Sequence, residues 1–485
     1  MPEQPSLTTR QLMAGVHLDR RYRNAVLDEL YEHEERYSAP SYDVDAAAVL
    51  AEALNARRTA LRWAVPMALV WIAGFLLAGW LYALYAAGFT ALAGAAALRR
   101  ARHPVARVTA GTLRVLGGVV LGASFAAAAV TPWPDGWSGV TAAVAGPALM
   151  AAVAEAHRAA VEKRLRFIRS STYTSPTQPA RRHRLYVISQ LTRAEQTSPA
   201  VVYRDPTPFL GSGAVLESFA LAAEVRGGTG TFVASDALRG VARAVEGVPG
   251  LAAQVDERLL LPEEGAPRRP LPPLIPGALP PSTRWLRIVS RGLGSPVTTV
   301  FVQIRLDGPV LFVQQVTCAL PPVRREFRGT KPARFPLGRT LAAPAVLPAE
   351  LAAWAVRRAQ RLPSPPGSRP PSGPHLSVRE LASEPALPPL TAAEAQRISR
   401  TVRLLVLDAV REALRDRGLS APDLDEQRTE SYRAQNSGIY IGNISPGTLA
   451  VGPGARAAAA DITHHTSPGP TTNPDDDSWE DDDLG

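Results

Sequence analysis

The 485-residue chain has 46% hydrophobic and 20% charged residues, a single cysteine and a formal charge of +9. This composition excludes a disordered chain, an intramolecular disulfide framework and a zinc site built from several thiolates. The run from Trp63 to Leu98 contains no charged residue, which excludes an ordinary soluble globule.

The charge is unevenly placed. Residues 1–61 hold 7 basic and 10 acidic residues, whereas residues 62–170 hold 11 basic and 3 acidic. A pI near 10 in a soluble protein points to nucleic acid. Here much of the excess flanks apolar segments, so membrane topology accounts for it and no nucleic-acid partner is expected.

Residues 1–61 read as an N-terminal helical module. A charged helix is expected over 18–36, broken at Ser38-Ala39-Pro40-Ser41. A second helix is capped by Asp43 or Asp45 and runs through Ala46, Val49, Leu50 and Leu54 toward the membrane. No signal-peptide core stands in these charged residues.

Residues 62–156 form the expected transmembrane region. At about 1.5 Å per residue, 63–98 would measure about 54 Å as one helix, against a hydrocarbon core of about 30 Å. It is therefore split into spans of about 63–80 and 82–98; the alternative is three spans, with 63–98 as one tilted helix and the termini on opposite sides of the membrane. Two further spans, about 115–134 and 137–154, flank a turn containing Pro132, Pro134 and Gly136. Trp63, Trp80, Tyr82, Tyr85, Trp133 and Trp137 are the expected interface aromatics. Arg57, Arg58 and Arg62 precede the first pair of spans, Arg99, Arg100, Arg102 and Arg107 separate the pairs, and Arg158 to Arg169 follow. The positive-inside rule then puts both termini and the central loop in the cytoplasm. The four loop arginines 99, 100, 102 and 107 are expected to meet anionic lipid. Gly117, Gly118 and Gly122 give a small-residue face suited to helix contact or homo-oligomer formation.

A basic linker, 157–183, leads to a cytoplasmic α+β domain over 184–345. Strands are expected at Leu185–Leu191, Ala200–Tyr203, Phe219–Val225, Leu286–Ser290, Val300–Leu306 and Val310–Thr317. The last two are joined by the hairpin signal Asp307-Gly308. Ser235 is expected to cap a helix through Val245, and residues 262–283 form a proline-rich connection. Neither a phosphate loop nor a zinc helix nor a nucleophile elbow is found. Gly211-Ser212-Gly213 and Gly292-Leu293-Gly294 read as turns, and Cys318 as a buried structural thiol. Asp205, Glu217 and Glu224 remain as single acids. No cofactor and no catalytic residue is expected.

Beyond it, residues 346–390 comprise a short helix (Ala349–Leu362) and a Pro/Ser-rich linker. Residues 391–418 are an amphipathic helix whose stripe Ile398, Val402, Leu405, Ala409 and Ala413 packs on its own domain or on a partner. Residues 419–474 hold β-like pieces around 439–452, and 475–485 an acidic tail, disordered by composition. His464 and His465 are too isolated to suggest a metal.

Three pieces carry a family likeness: Ala39-Pro40-Ser41-Tyr42-Asp43-Val44-Asp45, Val202-Tyr203 with Pro208-Phe209-Leu210-Gly211-Ser212-Gly213, and Leu449-Ala450-Val451-Gly452-Pro453-Gly454-Ala455. In this order the chain resembles multi-pass membrane proteins of high-GC actinobacteria. The resemblance implies a membrane class and no activity. The expectation is a non-enzymatic multi-pass α-helical membrane protein whose cytoplasmic α+β domain binds an unknown protein partner as a scaffold or sensor. The alternatives are a transporter or channel subunit with a regulatory cytoplasmic domain, and a membrane-tethered enzyme.

Overall fold

The computed structural model describes residues 5–32, 37–98, 104–130, 137–170, 173, 183–203, 208–227, 231–249, 251–263, 283–291, 296–329, 337–360 and 376–436. The chain divides into one unit over Met1–Tyr432 and a second over Arg433–Gly485. The expected β-like pieces, the acidic tail, the proline-rich connection after Glu263 and the turn around Trp133 lie outside the described residues.

The N-terminal module holds a helix that was not expected, before the one expected over 18–36. Helix α1 (Leu7–Leu18) is capped by the Ser6 hydroxyl, α2 (Arg20–Leu27) by Asp19, and a π turn follows at Asp28–Glu32. The apolar stripe Leu12, Met13 and Val16 buries α1 completely on one face, a signal masked in the sequence by polar neighbours. Helix α3 (Ala46–Ala78) starts where Asp45 accepts the Ala48 amide. It ends at Gly79, whose φ of +50° breaks the apolar run one residue before Trp80.

Helices α4 (Trp80–Leu98), α5 (Pro104–Val130) and α6 (Trp137–Arg169) complete the bundle. Among the described residues, α3, α4 and α5 are long and apolar enough to cross a membrane. Their outward faces are apolar: Leu69, Ile72, Leu76 and Leu77 on α3, and Val108, Val115 and Val119 on α5, are exposed. Helices α4 and α5 meet at glycines. A Cβ on Gly117 would come within 3.0 Å of the Gly88 carbonyl oxygen, while Gly118 and Gly122 face open space. Of the expected glycine face, only Gly117 makes an internal contact.

Helix α7 (His183–Thr197) stands where a strand was expected over Leu185–Leu191. The local run of Tyr186, Val187 and Ile188 favours a strand. The buried positions 185, 188, 189, 192 and 195 recur at helical spacing, and packing against α3 decides the outcome.

The sheet is mixed and six-stranded: β1 (Ala200–Tyr203), β2 (Ala214–Glu224), β3 (Ala253–Pro262), β4 (Arg284–Arg291), β5 (Val297–Asp307) and β6 (Val310–Leu320), in the order β1-β3-β4-β5-β6-β2. Only β1–β3 is parallel. The β5–β6 hairpin turns at Asp307-Gly308, with Gly308 at φ +59°. Strand β3 was not expected, because Asp256, Glu257 and Arg258 interrupt its alternation. Pairing with β4 brings Arg287 opposite Asp256 and neutralises the acid.

Helix α8 (Ala234–Glu246) is not capped by Ser235. Val233 holds the cap position and makes no side-chain bond. Helices α8 and α12 (Pro389–Arg415) cover one sheet face. Ile398, Val402 and Ala409 join Val300, Val302 and Val313 in one core, so the amphipathic stripe packs on its own domain. Between sheet and α12 come α9 (Arg325–Arg328), α10 (Leu337–Gln360) and α11 (Val378–Leu381), and α13 (Pro422–Asn436) follows.

Helix α10 departs most from expectation. It begins well before Ala349, contains Pro344 and Pro348, and packs against α3, α4 and α6. Pro348 has no N–H, so the carbonyl four residues earlier, on Pro344, loses its helical donor. Trp71 of α3 supplies one: its Nε1 donates to Pro344 O at 2.9 Å. Trp71→Phe keeps the ring and removes the donor. It is expected to cost about 2 kcal/mol, read as a lowered midpoint in thermal unfolding of the purified protein.

Candidate functional site

A buried acid and its partners gather where the first turns of α3 meet the end of α6, outside the apolar run that starts at Trp63. Glu52 on α3 is 1% exposed. The Arg164 guanidinium of α6 donates to both its oxygens, Nε at 2.8 Å and Nη2 at 2.6 Å. His17 Nε2 of α1 lies 2.7 Å from Oε1, and Asn55 Nδ2 donates to the same oxygen at 3.2 Å. Burial alone would raise the Glu52 carboxyl. The hydrogen bonds and charges of Arg164 and His17 outweigh it and hold the pKa at about 2. An ionised carboxylate only accepts, so His17 carries a proton on Nε2.

A second acid stands close by. Glu350 of α10 pairs with Arg23 at 2.9 Å and Arg20 at 3.2 Å, both from α2. His157 of α6 is depressed by burial against the opposing pull of Glu350. Asp19 accepts from Arg324 Nη1 at 2.9 Å, which ties α1 and α2 to the segment before α9. Each acid here joins the N-terminal module to a different part of the chain: Glu52 to α6, Glu350 to α10 and Asp19 to the segment before α9. The arrangement is a set of ionic latches, with no nucleophile among these groups.

The module also grips the sheet. The segment 38–45 lies against the turn 209–213. A Cβ on Gly211, at φ +80°, would stand 1.9 Å from Pro40 O. The Gly213 amide donates to Glu380 Oε1 at 2.9 Å. The Tyr42 and Ser212 hydroxyls are 3.1 Å apart, and the Tyr42 ring stacks on the Arg287 guanidinium at 4.6 Å. Arg287 in turn grips Asp256. Ser38 donates through its amide and hydroxyl to Glu195 of α7, at 2.9 and 2.6 Å. Gly211-Ser212-Gly213 is therefore a turn that seats the module. Gly292-Leu293-Gly294 lies outside the described residues.

Glu217 pins α12 to the sheet. Ser399 Oγ donates to Glu217 Oε2 at 2.8 Å, Thr317 Oγ1 donates to Ser399 Oγ at 2.8 Å, and Arg403 pairs with the other Glu217 oxygen. Glu224 pairs with Arg226 in solvent, and Asp205 lies outside the described residues. Cys318 is fully buried in β6. Burial, with the charge of Glu380 beside it, pushes its thiol up to about 12. In the folded protein its alkylation is expected to run about a thousandfold slower than for a free thiol. Mass spectrometry after iodoacetamide at pH 8, with and without denaturant, checks this.

The residues expected at the membrane are placed unevenly. Arg99, Arg100, Arg102 and Trp133 lie outside the described residues, as does the Trp137 side chain; Arg107 is exposed on α5. Trp80 is exposed and Trp63 half-buried. Tyr82 and Tyr85 point into the bundle. They pack on each other and on Trp71 and Phe125, and the Tyr85 hydroxyl donates to Ala143 O at 3.0 Å. Room for Tyr82 exists because Gly74 and Gly146 carry no side chain. The ionic latches had no signal in the sequence, since His17, Glu52 and Arg164 read as ordinary members of charged segments.

No group of three or more His, Cys, Asp or Glu suited to a metal occurs among the described residues. Neither a curated protein nor a solved structure matches the chain. Residues 283–447, about a third of the chain, match the AbeC-like domain family, a stretch that begins at β4 and takes in β5, β6, α10, α12 and α13.

Proposed function

We propose that the chain is a non-enzymatic multi-pass membrane protein in which four helices anchor a cytoplasmic, partner-binding sheet domain. The observation that carries this reading is the contrast between two kinds of surface. Helices α3 and α5 turn Leu69, Leu76, Val108 and Val119 outward, an apolar face too large for water. The sheet and the N-terminal module bury ordinary cores. In this reading the basic sequence Arg99, Arg100, Arg102 and Arg107 contributes attraction to anionic lipid, about 1 kcal/mol for each arginine. The outer strand β2 supplies the partner surface: Ser218, Ala220 and Ala222 are exposed on the side away from α12. Small side chains there leave the strand flat and open to a protein ligand.

The test is a photo-crosslinking residue at Ala220 or at Leu76 in the full chain, in cells. The reading expects one discrete protein adduct from position 220 and lipid adducts from position 76. No adduct, or only a diffuse smear, from 220 would contradict partner binding. Protein ladders in place of lipid adducts from 76 would contradict the anchor.

A further inference from the structure

We propose that α10 is a membrane-embedded segment: Thr340–Leu347 lies within the bilayer, with Leu341 and Ala345 against lipid acyl chains. The inference rests on the membrane reading above and assigns a fifth element to the lipid-facing bundle. Its first support is depth. Trp71, which holds Pro344 O, lies about 12 Å past Trp63 along α3. Ala343 and Leu347 share one apolar cluster with Met67, Leu81, Tyr82 and Met150, all from the bundle interior. Its second support is the latch. Glu350, about 9 Å further along α10 than Pro344, is held by Arg20 and Arg23 of the N-terminal module. That pairing marks the level at which α10 leaves the apolar zone.

Length argues against a crossing. The apolar stretch Thr340–Val356 measures about 25 Å as a helix, short of the roughly 30 Å core, and Glu350 interrupts it. A helix that lies in the bilayer over Thr340–Leu347 and leaves it at Glu350 satisfies both facts. The two prolines fit as well, because a helix tolerates proline at membrane depth where a neighbour satisfies the freed carbonyl, as Trp71 does here. The outward face is apolar: Leu341 is half-exposed, and Ala345 and Val346 are partly so. Arg20 and Arg23 then hold the segment's exit, so the N-terminal module sets its depth.

The test uses nitroxide spin labels in the full chain, reconstituted in lipid vesicles, in a Cys318→Ser background. Labels go at Leu341→Cys, at Ala345→Cys as a second reporter should the first variant fold poorly, at Leu76→Cys as the lipid reference and at Val215→Cys as the water reference. Collision with molecular oxygen reports lipid, and collision with a water-soluble nickel chelate reports water. The proposal expects position 341 or 345 to match 76, with oxygen collisions exceeding those at 215 several-fold and nickel collisions well below them. Nickel-rich collisions at 341 and 345, with 76 still oxygen-rich, overturn the placement of α10 alone. Collision with neither reagent also overturns it, since protein then covers the face. Nickel-rich collisions at 76 overturn the membrane reading itself.

Discussion

Glu52→Gln destabilises the protein by about 3 kcal/mol, because the half-buried Arg164 guanidinium loses its counter-charge and the hydrogen bond from the buried His17 is broken. The His17 side chain is 2% exposed, so it cannot replace the lost partner with bulk water where it stands. The control is Glu155→Gln. Glu155 pairs with Arg158 in solvent, so its loss costs under about 1 kcal/mol. Both are read from denaturant unfolding in detergent. The same carboxylate sets an acid limit. Its pKa is about 2 in the fold against an ordinary 4.5, so the stabilisation is complete above pH 4.5 and is lost as pH falls toward 2. The loss amounts to about 3 kcal/mol, and in Glu52→Gln this acid dependence disappears.

Gly211→Ala is the second large effect. At φ +80° an alanine is strained, and its Cβ would meet a backbone oxygen, Pro40 O, at 1.9 Å. Backbone cannot swing aside as a side chain can. The segment 38–45 must lift from the turn, separating Tyr42 from Ser212 and from Arg287. The expected cost is about 3 kcal/mol or more, with faster amide exchange confined to segments 38–45 and 209–213. Gly308→Ala isolates the conformational part. Gly308 is also left-handed, at φ +59°, but has open space around it, so about 1 kcal/mol is expected. Equal costs at 211 and 308 would show that the module does not press on the turn.

Local signals in the sequence found local structure. Asp45 at a helix start, Asp307-Gly308 between two alternating runs, and the stripe Ile398, Val402 and Ala409 each contain their own physical cause, and the structure uses each accordingly. The failures are tertiary. At α7, burial on α3 overrides a strand-like run, and at β3 an arginine from the next strand makes a charged triplet tolerable. Helix α10 reads as a linker helix because its prolines look like breakers until Trp71, far away in sequence, satisfies the freed carbonyl. The latches were least legible of all. Glu52 is 35 residues from His17 and 112 from Arg164, and no spacing rule links residues that far apart. Residues 38–45 and 208–213, far apart in sequence, meet in space, where Gly211 takes its positive φ against Pro40.

The central claim is a sheet domain held on the cytoplasmic side by four spans. Reporter fusions after Leu98, Gly136, Arg169 and Gly485 test it most directly. The account predicts cytoplasmic signal at Leu98, Arg169 and Gly485 and external signal at Gly136. An external signal at Gly485 would contradict it, placing the sheet domain outside the cell.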